Sequence, residues 1–206
     1  MRVFSWEAAA PVELVVKVGG SVLQDVEAFD AVLAALRAGA QLRRLLIVPG
    51  GGPFADAVRE VDRRLGLSDS TAHWMAVLAM DQYAHLIASR LAGAALVAEP
   101  REIAAALEAG DIPVLAPSRW LRAADPLPHS WDVTSDSIAA WVAGLVGARA
   151  LVLVKPPGTQ PTDAAVDPYF ARALPAGVTA TIVSADRIDT LAGIRRPGLS
   201  GPARRP

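Results

Sequence analysis

Two lysines hold most of what this sequence says about chemistry. Of its 20 basic residues only Lys17 and Lys155 are lysines, the rest being arginines. Each ends an apolar, β-branched run, "VELVVK" and "RALVLVK". Lysine is a compact point charge on a flexible stem, whereas arginine is a broad planar fork. A position that keeps lysine in an arginine-rich chain is therefore one where a point charge can matter. The bland reading is a snorkelling strand-end residue. What lifts these two above it is their company. Gly19, Gly20 and Ser21 follow Lys17, and Gly50, Gly51 and Gly52 follow the next apolar run. Backbone without Cβ atoms approaches an anion closely, and the free N–H groups of a helix start favour phosphate.

The third constellation is "HSWDVTSDSIA", which sets Asp132, Thr134, Ser135 and Asp136 at a helix start. Threonine, serine and aspartate are ordinary caps. Two acids and several hydroxyls nevertheless exceed what capping needs. An acid near two lysines would orient both ammonium groups, or would meet Mg2+ directly or through water. No residue stands out as a dedicated metal ligand. Together the pieces suit phosphoryl transfer, which asks for in-line positioning and for cations on the moving oxygens rather than covalent help.

Other motifs are weaker. No glycine precedes a Lys-Ser or Lys-Thr pair, so there is no P-loop. Gly50, Gly52 and Ala55 satisfy the dinucleotide spacing, but the acid expected ~20 residues on would fall at a helix start rather than a strand end. There is no G-x-S-x-G elbow. His73 and His85 lie on different sides of one predicted helix, and His129 is read as a solvated loop histidine, with substrate contact as the alternative. Trp74, Met75, Leu78, Tyr83 and Leu86 read as core or subunit interface, and Arg43, Arg44, Arg63 and Arg64 as solvated faces.

The elements that must position these residues alternate. Strands are predicted at 12–18, 44–48, 94–98, 112–117, 149–155 and 178–185. Helices are predicted at 26–39, from the glycine loop to about 65, at 68–92, 100–110, 118–124, 135–148, 167–174 and 186–194. Strand–helix alternation predicts an α/β sandwich on a largely parallel sheet, with ligands beyond the carboxyl ends of the strands. All four functional segments fall at such ends. At 206 residues the chain is read as one domain over 1–195 followed by a disordered Pro/Gly/Arg-rich tail over 196–206. A net charge of −1 gives no electrostatic footprint for nucleic acid or an anionic membrane. No apolar stretch reaches the ~18 residues of a membrane span. With no cysteine and no signal-peptide pattern, the cytoplasm is the expected compartment.

The segments "VVKVGGSVL", "LLIVPGGGPFADAVRE" and "VTSDSIAAWVAGLVGARALVLV", in this order, resemble the amino acid kinase family over about Val12 to Gly193. The run "SWDVTSDSIAAWVA" and the small size look closest to its methanofuran-pathway branch. The resemblance implies a three-layer α/β/α sandwich with a largely parallel central sheet and an ATP-dependent transfer with Mg2+ onto a small-molecule acceptor, a phosphate or carboxylate, with aminomethylfuran methyl phosphate preferred. It implies that Lys17 stabilises the moving phosphoryl group, that Gly19, Gly20, Gly50, Gly51 and Gly52 cradle phosphate, and that Asp136 orients the lysines. It also implies nucleotide contacts at Lys155, Gly158 and Asp167, and a homodimer or higher oligomer through the helix around Trp74 to Leu91. The chain departs from the family after the late strand. There "KPPGTQPTDAAVDP" replaces the usual Thr-Asp-Val-Asp-Gly pattern, and no second lysine follows downstream. Lys155 is the candidate replacement. The alternative reading is a repurposed member that binds a nucleotide or oxyanion without transferring phosphate, and a dinucleotide oxidoreductase comes third.

Overall fold

A computed structural model describes residues 12–191. The basic tail lies outside the described residues. Six parallel strands form one sheet in the order β3-β4-β2-β1-β5-β6. They are β1 (Leu14–Val18), β2 (Leu45–Pro49), β3 (Ala94–Val97), β4 (Ile112–Leu115), β5 (Ala150–Lys155) and β6 (Thr179–Ser184). The helices are α1 (Val26–Ala40), α2 (Gly52–Leu65), α3 (Asp69–Arg90), α4 (Pro100–Ala109), α5 (Ser118–Ala124), α6 (Ser135–Leu145) and α7 (Phe170–Ala173). Among the described residues no helix is long and apolar enough to cross a membrane.

The apolar runs form strands because both faces of the sheet are covered, so every second residue meets one of two cores. Leu14, Val16 and Val18 join Phe29, Val32 and Leu36 of α1 on one side. Val15, Leu151 and Leu153 join Ile138, Ala139 and Val142 of α6 on the other. The expected element after β6 is a 3-10 stretch, Ala185–Leu191, whose helical geometry breaks at Arg187. α3 serves both cores. Val77 and Met80 belong to the α6-side core, while Tyr83, Ala84 and Ile87 belong to the α1-side core.

The strand order also places the site. The chain leaves β1 toward β2 and leaves β5 toward β6, in opposite directions along the sheet. Where the winding reverses, the loops part and a crevice opens beyond the strand ends. Lys17 and Lys155 stand on the two strands that flank it.

Candidate active site

Register brings the lysines to one face. Lys17 lies opposite Leu153, and Lys155 is two residues further along β5. Side chains alternate, so Lys17 shares the side of Val15 and Lys155 that of Leu153, the side covered by α6. The first turn of α6 carries Asp136. Its two oxygens meet one ammonium each, Lys17 Nζ at 2.8 Å from Oδ1 and Lys155 Nζ at 2.7 Å from Oδ2. Lys17 and Asp136 are each only 4% exposed. Lys155 donates a well-formed hydrogen bond, whereas the Lys17 contact is an ion pair that leaves Oδ1 without a hydrogen bond of good geometry.

Burial by itself would raise the carboxyl of Asp136, but the charges of Lys17 and Lys155 outweigh it and hold the group below its ordinary value. Lys155 is lowered, by burial first and by repulsion from Lys17 second, against the pull of Asp136. Two ammonium groups sharing one carboxylate leave this buried trio with an excess positive charge. Asp167 lends Lys155 some further negative charge from beyond the trio, and an anion in the cavity would add to that compensation.

That cavity has about 220 Å³ of room. Among the sequence candidates, Lys17, Gly20, Ser21, Gly51 and Gly52 line it. Thr134, Ser135, Asp136 and Lys155 complete its wall. Gly19, Gly50, Asp132, Gly158 and Asp167 do not reach it. Gly19 and Gly50 are buried behind the rim, and Asp132 and Gly158 are exposed. The N–H of Gly158 donates to Asp186 at 3.2 Å, tying down the loop after β5.

The glycines have a steric reason of their own. The loops after β1 and β2 pack backbone on backbone, and a Cβ on Gly20 would lie 2.0 Å from the amide nitrogen of Gly52. Gly52 itself adopts φ +56, a conformation that side chains resist. At the start of α2 no side chain caps the helix, and Gly51 and Gly52 open into the cavity.

Asp167, expected at the nucleotide, has its carboxylate turned onto the start of α6. Its Oδ2 accepts from Thr134 N at 2.9 Å, Thr134 Oγ1 at 2.8 Å and Ser137 N at 3.0 Å, and Oδ1 accepts from Ser137 Oγ. Thr134 Oγ1 in turn accepts from Asp136 N at 3.5 Å. The mount of Asp136 is thereby sealed from outside its own helix.

Arg59, Asp69 and Trp131 also line the cavity and were not singled out from sequence. The Trp131 indole donates to Asp62 Oδ2 at 2.7 Å, and the Arg59 guanidinium covers its ring at 4.7 Å. Asp69 and His73 share a helix face four residues apart, a signal visible in sequence once α3 is placed at the rim. His129 is half-buried rather than solvated: it stacks on His73 at 4.2 Å, and its Nε2 meets Asp125 at 2.9 Å.

Mg2+ finds no ready protein cage here. Both oxygens of Asp136 are taken by lysines, and no group of three His, Asp or Glu able to hold a metal occurs among the described residues.

Comparison with known proteins agrees on one family. The family model described as "Amino acid kinase family" matches residues 13–156. The [5-(aminomethyl)furan-3-yl]methyl phosphate kinase of Methanocaldococcus jannaschii is 32% identical over 185 residues, spanning 87% of this chain and 78% of that protein. The uridylate kinase of Archaeoglobus fulgidus superposes with a TM-score of 0.66 at 17% identity, over 89% of this chain and 97% of that one. The UMP kinase of Ureaplasma parvum gives 0.67 at 14% identity, over 90% and 97%. At those identities the two structures speak for the fold.

Proposed function

The chain belongs to the amino acid kinase family and is a phosphotransferase; on that premise we propose that it moves the γ-phosphoryl group of ATP onto the phosphate of an aminomethylfuran methyl phosphate, giving the diphosphate. The observation that carries the reading is the excess positive charge of the Lys17–Asp136–Lys155 trio, set in a cavity beneath glycine loops and the uncapped start of α2. The acceptor comes from the methyl phosphate kinase that shares 32% identity with this chain.

In this reading an acceptor phosphate oxygen forms the new bond to the γ-phosphorus as the bond to the β,γ-bridging oxygen breaks. A phosphate monoester has its second pKa near ~6, so at neutral pH its oxygen is already an ionised nucleophile and needs no general base. Lys17 and Lys155 hold charge against the transferring oxygens, and Asp136 fixes both ammonium groups. The N–H groups of the glycine loops donate to phosphate. Mg2+ would supply charge neutralisation on the phosphates of ATP, and Asp136, with both oxygens on lysines, would orient the ammonium groups rather than hold the metal. With ATP as donor, the cytoplasm is the proposed compartment, and a homodimer through α3, where Leu78 is exposed, is the proposed assembly.

The alternative of binding without transfer is not favoured, since the lysines and the acid meet in one cluster. The test is direct: purified protein with ATP, Mg2+ and the aminomethylfuran methyl phosphate, followed by phosphorus NMR. Diphosphate formation is expected, with little turnover of UMP or aspartate. ATP bound at the cavity, with no product from any acceptor, would overturn the reading.

A further inference from the structure

α3 starts at the rim of the cavity, and the face it turns inward changes along its length. Asp69 comes first and His73 one turn later. Ala76, Val77 and Met80 follow, with Val77 and Met80 buried. Charge at the rim thus gives way to an apolar depth. Alanine at position 76 keeps the wall shallow, and Trp131 adds a flat aromatic surface held in place by Asp62 and Arg59.

The charges along this cavity are divided. The lysines and Asp69 line the same space, yet no ion pair joins them among the described residues. Arg59 has its own partner, Asp56 at 3.3 Å, whereas Asp69 pairs with no cation among the described residues. The neighbouring His73 adds no positive charge at neutral pH. Burial, and then the nearby His129, push it down to about 4. Asp69 is thus an exposed carboxylate at the rim, one helical turn from an uncharged imidazole, in a cavity whose lysines favour phosphate.

We propose that Asp69 is a specificity-determining residue that takes the primary ammonium group of the acceptor while the acceptor's phosphate lies at Lys17 and Lys155. The enzyme then selects acceptors that carry a cation and a phosphate on either side of a flat ring. This inference rests on the acceptor reading above. An acid in the first turn of a helix is ordinary in its own right, so the decisive readout is discrimination rather than stability.

The experiment compares two acceptors, the aminomethylfuran methyl phosphate and the analogue with methyl in place of aminomethyl, in the wild type and in Asp69→Asn. Wild type is expected to favour the amine in kcat/KM, chiefly through KM. Asp69→Asn is expected to shrink that ratio about tenfold, the scale of one lost charge-assisted hydrogen bond after allowance for solvent at the rim. A thermal melt confirms that the variant folds. Equal use of both acceptors by wild type, or an unchanged ratio in Asp69→Asn, would overturn the inference while leaving the kinase reading intact. Turnover of neither acceptor would overturn the acceptor reading and this inference with it.

Discussion

Two helices begin at the same rim and end their first turns in opposite ways. α2 starts at Gly51 and Gly52 with no side-chain cap, and its start lines the cavity. α6 starts at Thr134 with its own hydroxyl cap and with the carboxylate of Asp167 borrowed from 33 residues away. Every helix start leaves N–H groups without intrahelical partners. The two solutions divide the labour of the site. In the proposed reaction the uncapped start of α2 would offer its N–H groups to a phosphate. The start of α6 has the N–H groups of Thr134, Asp136 and Ser137 taken by side chains and works as a mount, holding Asp136 where both lysines reach it. A helix start lined by glycine and one lined by acid and hydroxyl can thus serve one reaction, one as a surface for the ligand and the other as scaffold.

The largest effects should appear on the sealed side. Asp136→Asn leaves two buried ammonium groups facing each other without a counter-charge. Breaking a buried pair costs ~3–5 kcal/mol, so denaturant unfolding should show a loss on that scale together with loss of turnover. The pH dependence sharpens the point. The carboxyl of Asp136 lies below its ordinary value of 3.8 in the folded chain. As pH falls, the unfolded chain binds that proton first. The stability contributed is complete above 3.8 and is lost as pH drops through the lower folded value. Asp136→Asn should remove that acid-side loss. A stability-against-pH curve with the same acid limb as wild type would break the idea that Asp136 holds the lysines electrostatically.

Lys17→Ala comes next. It removes one cation from the phosphate side while Lys155 continues to pair with Asp136. Turnover should fall about 10²–10³-fold, by analogy with losing one preorganised donor to developing charge. Near-unchanged kcat in the purified variant would move phosphate stabilisation away from Lys17. As a control on the opposite face of the sheet, Leu36→Ala should cost ~2–5 kcal/mol of stability, since Leu36 is fully buried against β1. Its kcat should stay close to wild type under conditions where the variant is folded.

The periodicities that made the fold legible are local. All six strands and the parallel sheet follow from short apolar runs alternating with helical spacing, and the lysine and glycine positions follow from where those runs end. The 3-10 break at Arg187 is a local irregularity that helical spacing does not register. What the sequence hides is contact between residues far apart in the chain. Asp167 reaches Ser137 across 30 residues, and Trp131 reaches Asp62 across 69. Nothing near either partner marks the pairing. The nucleotide contact that the family resemblance implies for Asp167 takes no account of these bonds to Thr134 and Ser137. The stacking of His73 on His129 is hidden for the same reason. The glycines were legible as special, but their packing on each other was not: that Gly20 has no room for a Cβ follows only once two separate loops meet.

Gly20→Ala tests the open side. A Cβ there would sit 2.0 Å from the Gly52 nitrogen, so the two loops must part. Overpacking costs ~1–3 kcal/mol, and a shift near 1 Å in positioned groups can cost about 10²-fold in rate. Turnover should fall by about that factor while the melting temperature drops only modestly. A variant that loses stability and keeps its kcat would mean the glycines serve loop packing alone.

The smallest effect expected is the one that best separates the two helix starts. Asp167→Asn keeps the shape of the side chain but removes its charge and half of its acceptors. If Asp167 seals α6, stability should fall by ~1–2 kcal/mol, the scale of a lost cap or charge-assisted bond. kcat should fall modestly as Asp136 loses its firm mount, and KM for ATP should barely move. If Asp167 contacts the nucleotide instead, KM for ATP should rise and stability should hold. A carboxylate already receiving hydrogen bonds from Thr134 and Ser137 has little capacity left for a ribose or a metal. A dominant rise in KM for ATP would therefore require those bonds to break when nucleotide binds, and it would make the sealed start of α6 a ligand-responsive element rather than a fixed mount.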